Sequence, residues 1–166
     1  MPNHVHFIAV PAQGDSFRQA IGEAHRRYTR HINFREKWRG HLWQERFASY
    51  PMSENHLLAA ARYIELNPVR TGLVKEPWSY KWSSAGAHLR GYDDDFVHVR
   101  PLLEIVGDWR SFINEDVPGE EIERYRLHER TGRPLGDEDF LERIEKLICR
   151  DLRRQKPGPK KNGHQS

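Results

Sequence analysis

The alternation of apolar and polar positions changes period soon after the N-terminus. Residues 4–10 alternate with a period of two, which predicts a β-strand with His4, His6 and Ile8 on one face and Val5, Phe7 and Ala9 on the other. Asp15 or Ser16 can then cap a helix, because apolar residues follow at helical spacing: Phe17, Ala20, Ile21, Ala24 and Tyr28. The chain therefore begins as a strand followed by an amphipathic helix.

A second helix is predicted between two prolines. Residues 41–50 form an extended segment that Pro51 ends, and Ser53 then caps a helix with the apolar stripe Leu57, Leu58, Ala61 and Ile64. Pro68 is expected to end this helix, because the residue before a proline is driven out of the helical region.

The composition changes around residues 91–95, where we predict a domain boundary. Residues 101–113 and 119–130 have helical character, and Asp137 can cap a last helix with the stripe Phe140, Leu141, Ile144, Leu147 and Ile148. These helices could form a helix-turn-helix or a small bundle. The predicted units are a core over 1–90, a helical extension over 91–154, and a disordered basic tail over 155–166.

Length and composition indicate a soluble protein. The chain has 166 residues, 37% of them hydrophobic, and a single cysteine, Cys149, which cannot form an internal disulfide. No stretch is apolar enough for a signal peptide or a membrane helix, so a cytoplasmic setting is expected.

The charge is unevenly distributed. Residues 1–90 carry 13 Lys/Arg against 7 Asp/Glu, residues 91–149 carry 8 against 16, and residues 150–166 carry 6 against 1. Two basic blocks favour a polyanion such as DNA as the partner, although a solvated surface pattern gives the same counts. The predicted DNA-contacting residues lie on the first helix and in the tail: Arg18, Arg26, Arg27, Arg30, Arg153, Arg154, Lys156, Lys160 and Lys161.

Two short patterns could carry chemistry. His4 and His6 stand two apart on the predicted strand, so both imidazoles can reach one metal ion. Taken alone, so short a pattern favours two surface histidines on a half-buried strand. Tyr63 and Asn67 stand four apart on the second helix and can share a face, where the phenol could act as a nucleophile beside a metal. Taken alone, they are a surface aromatic and a helix C-cap.

Three blocks together resemble a known family. Met1-Pro2-Asn3-His4-Val5-His6-Phe7, Gly40-His41-Leu42-Trp43-Gln44-Glu45-Arg46-Phe47, and Arg62-Tyr63-Ile64-Glu65-Leu66-Asn67-Pro68-Val69-Arg70 are similar, in order, to motifs of the REP-associated tyrosine transposases. These are single-tyrosine HUH transposases, named for the His-hydrophobe-His strand. The resemblance covers roughly residues 1–85.

The resemblance implies an α+β fold, a ferredoxin-like HUH nuclease sandwich followed by a small helical C-terminal extension. It also implies Tyr63 as the nucleophile and His4, His6 and Asn67 as ligands of Mg²⁺ or Mn²⁺. Family members carry a strand and a helix before the HUH strand, so a core truncated at its N-terminus is expected.

The implied activity is cleavage and rejoining of single-stranded or hairpin DNA through a 5′-phosphotyrosine intermediate. The alternative is a non-catalytic DNA-binding remnant of such a transposase. The two hypotheses differ on whether a covalent protein–DNA adduct forms.

Overall fold

The structure is a computed structural model that describes residues 1, 3–44, 46–115 and 117–152. Its regular elements are helical. In chain order they are α1 (Ser16–Glu36), α2 (Glu54–Arg70), a short 3₁₀ helix (Pro77–Ser79), α3 (Ala85–Arg90), α4 (Arg100–Val106), α5 (Trp109–Ile113), α6 (Gly119–Thr131) and α7 (Glu138–Ile148).

The predicted ferredoxin-like sandwich is wrong for this structure, because the described residues contain no β-sheet. Residues 4–10, predicted as the HUH strand, have no regular structure, and residues 41–44 and 46–50 form bends and irregular chain. A strand is stable only when another strand or a packed face supports it. Alternation alone predicts the local conformation and supplies no partner, and the described residues offer residues 4–10 none.

The start of α2 was predicted correctly and its end was not. Ser53 is the N-cap residue, in extended conformation, and its Oγ lies 2.9 Å from His56 Nδ1. The helix continues through Pro68 to Arg70. Proline removes the N–H that would bond to the Ile64 carbonyl. The Arg70 guanidinium donates to the neighbouring Tyr63 carbonyl at 2.6 Å, and apolar packing on both sides of α2 accompanies this turn.

α2 lies at the centre of the fold, between two apolar clusters. On one side Ala60 and Tyr63 pack with Tyr125 of α6 and with Leu135. On the other side Ala61 packs with Trp109 and Phe112 of α5. Helices before and after the predicted boundary at residues 91–95 therefore both contact α2.

The residues after α6 return to the start of α2. Leu135 N donates to the Pro51 carbonyl at 2.9 Å, and Ser53 N donates to the Leu135 carbonyl at 2.9 Å, so the two segments are paired as an isolated parallel bridge between Met52 and Leu135. Asp137 caps α7 as predicted, accepting a hydrogen bond from Phe140 N.

The apolar stripe predicted on α7 has little cover, since Leu147 is 82% exposed. No helix in the described part of the chain is long and apolar enough to cross a membrane.

Candidate active site

Tyr63 lies near the middle of α2, with its ring among buried side chains. The residue is 8% exposed, and its ring centroid lies 5.5 Å from that of Tyr125 on α6. Ala60, one turn earlier on α2, and Leu135 complete the cluster around it. The aromatic ring is therefore fixed by packing, which gives the phenol oxygen a defined position.

The two N-terminal histidines lie beside this tyrosine. The His4 and His6 ring centroids are 4.8 Å apart, with the rings edge to face, and the His6 ring lies edge to face with Tyr63 at 6.1 Å. His4 is exposed, and its Nδ1 lies 2.7 Å from the Asn3 side-chain oxygen. His4, His6 and Tyr63 belong to separate motifs and were predicted to share a site, and the structure places them next to one another. Residues 4–10, which were expected to hold the histidines as a strand, have no regular structure.

α6 places the carboxylate of Glu129 beside His6. His6 Nδ1 lies 3.2 Å from Glu129 Oε1, and the His6 side chain is 17% exposed. Burial lowers the pKa of His6 from its ordinary value; Glu129 opposes that shift, and the charges of His4, the N-terminus and Arg70 add to it. The neutral imidazole, which is the form that binds metals, is favoured.

Arg70 covers the Tyr63 ring from the end of α2. Its guanidinium carbon lies 4.3 Å from the ring centroid, and it also donates to Asn67 Oδ1 at 3.3 Å. Burial lowers the pKa of Arg70, Tyr63 opposes this shift, and the charge of Arg126 adds to it. The charge of Arg126 on α6 therefore acts on Arg70.

Arg126 lies on α6, next in sequence to Tyr125, whose ring packs against that of Tyr63. The Arg126 Nη1 donates to Glu123 Oε1 at 2.6 Å, and the side chain is 60% exposed. The hydrogen bond to Glu123 raises the pKa of Arg126, and Tyr63 adds to that shift. Solvent can reach this guanidinium, since most of the Arg126 side chain is exposed.

The predicted metal ligands are only partly assembled. Among the described residues, no three His, Cys, Asp or Glu side chains are grouped closely enough to hold a metal ion. The predicted set has two histidines and one amide, and the histidine pair does converge beside Tyr63. The Asn67 side-chain oxygen is engaged by Arg70 instead.

The predicted basic helix face is present on α1. Arg26, Arg27 and Arg30 line an open groove of about 540 Å³ together with His31 and Phe34. Arg26 and Arg27 both hydrogen-bond to Glu23, and these bonds lower the pKa of that carboxyl to about 2.

Arg18 lies at the start of the helix, 3.6 Å from Asp15. The other predicted DNA contacts lie outside the described residues: Arg153, Arg154, Lys156, Lys160 and Lys161.

The sequence reading missed three residues at the site: Arg70, Arg126 and Glu129. Arg70 stands seven positions after Tyr63 and so lies on the same side of α2, a spacing that could have found it. Arg126 and Glu129 come from α6, and no local pattern connects that helix to Tyr63. Only the tertiary packing of α6 on α2 reveals them.

Comparison with known proteins supports one family. Residues 1–67, less than half of the chain, match the family model described as IS200-like transposase. No curated protein and no solved structure matches the chain. The match supports a transposase, an enzyme class that binds and processes DNA. The matched residues contain His4, His6, Tyr63 and Asn67, whereas α6 lies outside them.

Proposed function

We propose that this chain is a metal-dependent single-strand DNA endonuclease and strand-transferase that acts on hairpin DNA, with Tyr63 as the nucleophile. The observation that carries the proposal is the convergence of His4, His6 and Tyr63, with a His6 to Tyr63 centroid distance of 6.1 Å. These residues come from separate motifs inside the segment that matches the transposase family. A histidine pair next to a tyrosine suits phosphodiester transfer to a phenol.

The proposed reaction is a transesterification. The Tyr63 oxygen attacks phosphorus, the new oxygen–phosphorus bond forms, and the bond from phosphorus to the 3′ oxygen breaks. The phenol loses its proton and the departing 3′ oxygen gains one, so the protein retains a 5′-phosphotyrosine and releases a 3′ hydroxyl. Attack of another 3′ hydroxyl on the phosphotyrosine reverses the step and joins strands. One phosphodiester is exchanged for another, so no external energy source is needed.

Tyr63 is the best-supported nucleophile among the tyrosines nearby. Burial, with smaller contributions from Glu129 and Tyr63, raises the pKa of Tyr50 to about 12, and burial does the same for Tyr125. A phenol that holds its proton more tightly is a poorer nucleophile at neutral pH. Tyr63 instead lies beside His6 and under the Arg70 guanidinium.

His4 and His6 are proposed to hold Mg²⁺ or Mn²⁺, with the Asn67 side-chain oxygen as a third donor. The histidine pair fits this role because the rings converge beside Tyr63, whereas Asn67 would have to give up its bond to Arg70. A divalent ion at this position would polarise the phosphodiester.

The α1 groove suits the DNA strand. Arg26, Arg27 and Arg30 present three guanidiniums beside the exposed ring of Phe34, which is 88% exposed. Cations track phosphates, and an exposed aromatic ring can stack on an unpaired base. Arg18 and the basic residues after 150 are proposed as further phosphate contacts.

The test is capture of the covalent intermediate. Wild-type protein is incubated with Mn²⁺ and a pool of hairpins with randomised flanks, labelled at the 3′ end because the adduct keeps the DNA on that side of the cut. A denaturing gel should show a labelled protein band, and the same pool labelled at the 5′ end should show none. Tyr63→Phe should abolish the band, whereas Tyr92→Phe, at an exposed tyrosine, should retain it.

A second variant tests the assignment of the metal ligands in the same experiment. The double variant His4→Ala/His6→Ala should lose adduct formation at every Mn²⁺ concentration while keeping most of its DNA affinity. Full activity of that variant would contradict the metal assignment. DNA binding without any adduct from wild type would make the DNA-binding remnant the better account.

A further inference from the structure

α6 brings a carboxylate to one of the proposed metal ligands, although this helix lies outside the matched segment. Glu129 Oε1 is 3.2 Å from His6 Nδ1, and the His6 side chain is mostly buried. Tyr125, one turn earlier on α6, packs on the Tyr63 ring at 5.5 Å and donates its hydroxyl to the His56 carbonyl at 3.1 Å. These two contacts hold α6 against α2, and residues four apart share a helix face, so Glu129 is held at His6.

The two N-terminal histidines present the same ring nitrogen to an oxygen. His4 Nδ1 lies 2.7 Å from the Asn3 side-chain oxygen, just as His6 Nδ1 lies beside Glu129. An acceptor next to Nδ1 favours the tautomer that carries its proton on that atom, which leaves on Nε2 the lone pair that can bind a metal. Both imidazoles are therefore arranged to bind through Nε2, and their ring centroids are 4.8 Å apart.

Glu129 acts on His6 rather than on the ion itself. Among the described residues, no three His, Cys, Asp or Glu side chains are grouped closely enough to hold a metal ion, so His4, His6 and Glu129 do not form a ligand set. A carboxylate behind a metal-binding imidazole has a different role, because it fixes the orientation of the ring and raises the basicity of the nitrogen that binds the metal.

We infer that Glu129 is a positioning residue that holds the His6 imidazole with Nε2 available to the metal, so that α6 completes the metal site from outside the matched segment. This inference rests on the proposed function, because it concerns a ligand of the same divalent cation. The His6 ring lies edge to face with Tyr63 at 6.1 Å, so the contact with Glu129 also sets how that ring lies against the proposed nucleophile.

The first measurement is the affinity for Mn²⁺ alone, from the electron paramagnetic resonance signal of free Mn²⁺ in a titration of the full chain without DNA. Glu129→Ala should weaken binding about 10- to 100-fold, the scale of losing the partner of a metal-binding histidine. Glu129→Gln should weaken it less, because the amide oxygen can still accept from Nδ1. The matched control is Glu123→Ala, which removes a carboxylate that pairs with Arg126 at an exposed position of the same helix and should leave the affinity unchanged.

The second measurement needs no metal and reports the tautomer of His6. In metal-free protein at pH 8, where histidine is neutral, the NMR shifts of the ring nitrogens distinguish a proton on Nδ1 from one on Nε2. The His6 signals are those that disappear in His6→Gln. Wild type should carry the proton on Nδ1, Glu129→Ala should shift the population toward Nε2, and Glu123→Ala should match wild type. Thermal unfolding of each variant checks that α6 is still packed, and Glu129→Gln, which keeps the size of the side chain, carries both measurements if Glu129→Ala unfolds.

The outcomes separate the role of Glu129 from the proposed function. Adduct formation by wild type, with an unchanged Mn²⁺ affinity or an unchanged His6 tautomer in Glu129→Ala, would overturn the role of Glu129 and leave the nuclease intact. Equal losses of affinity in Glu129→Ala and Glu129→Gln would show a simple charge effect and overturn it too, as would an equal loss in Glu123→Ala. Mn²⁺ binding that depends on Glu129, without any adduct from wild type, would keep the metal site and overturn the nuclease. No Mn²⁺ binding by wild type would overturn both the metal assignment and the role of Glu129.

Discussion

The two sides of α2 differ in how their polar groups are satisfied. Glu65 is 2% exposed and accepts from Ser84 Oγ at 2.6 Å, lies 2.7 Å from His88 Nδ1, and accepts from the Trp109 indole at 2.8 Å. Tyr63, two positions earlier and on the opposite side of the helix, faces cations and histidines that solvent can reach. One side, the closed side, is a buried network in which His88 Nε2 is left without a hydrogen-bond partner, and the other, the open side, can be reached by a ligand.

The closed side links three helices through one carboxylate. Glu65 connects α2 to α3 through His88 and to α5 through Trp109, and the His88 and Trp109 rings stack at 4.1 Å. A buried network of this kind fixes one arrangement of its helices, because any other arrangement leaves a buried group unpaired. The open side benefits, since a rigid α2 holds Tyr63 in one position relative to α6.

The largest expected effect is on stability, at the closed side. Glu65→Ala leaves the Trp109 N–H, the Ser84 hydroxyl and His88 without their buried partner, which should lower the free energy of unfolding by about 3–5 kcal/mol. Urea unfolding measures it. Glu54→Ala, at an exposed position in the first turn of the same helix, should cost at most about 1 kcal/mol. Equal losses in the two variants would show that the network contributes little.

Sequence predicted the elements that depend on local chemistry. Ser53 and Asp137 mark the starts of α2 and α7 because capping involves only neighbouring residues. The proximity of His4 and His6 to Tyr63 was also anticipated, from the resemblance and not from spacing. The match to the IS200-like transposase model supports the transposase part of the resemblance, and the REP-associated subtype stays a prediction. The sandwich that the resemblance implied is not found in the described residues.

Local sequence patterns could not predict the features that depend on residues far apart in the chain. A strand over residues 4–10 requires a neighbour, and alternation cannot report whether one is present. The Glu65 network joins residues 19 to 44 positions apart, so no local pattern marks Glu65 as a buried residue. Pro68 was predicted to end α2 from a local rule, which takes no account of the packing on both sides of a helix that continues to Arg70.

A smaller effect is expected from pH at the open side. Burial lowers the pKa of His6 below its ordinary value of 6.5, so the unfolded chain binds a proton that the folded protein excludes. The stability that neutral His6 contributes is therefore complete above pH 6.5 and is lost as the pH falls through 6.5 toward the folded value. The free energy of unfolding should fall more between pH 8 and pH 5 in wild type than in His6→Gln.

A second histidine also titrates in this pH range, but it does not affect the comparison between wild type and His6→Gln. Burial also lowers the pKa of His56, so that residue weakens the fold in acid in the same direction. Because His56 is present in wild type and in His6→Gln alike, its contribution cancels from the difference between them. Parallel pH curves for the two proteins would mean that His6 titrates as it does in the unfolded chain, and that the open side is more solvated than its geometry indicates.

The smallest effect on stability is expected at the residue with the largest proposed role in chemistry. Tyr63→Phe keeps the ring that packs on Tyr125 and lies under Arg70, and removes only the hydroxyl near the solvent-exposed Arg126. The free energy of unfolding should change by less than about 1 kcal/mol, because an exposed partner can turn to water. Tyr63→Ala removes the ring as well and should cost about 3–5 kcal/mol. If Tyr63→Phe proved as damaging as Glu65→Ala, the hydroxyl would be a structural hydrogen-bond partner like those around Glu65. The two sides of α2 would then be alike, and the open site would lose the feature that makes its phenol available for attack.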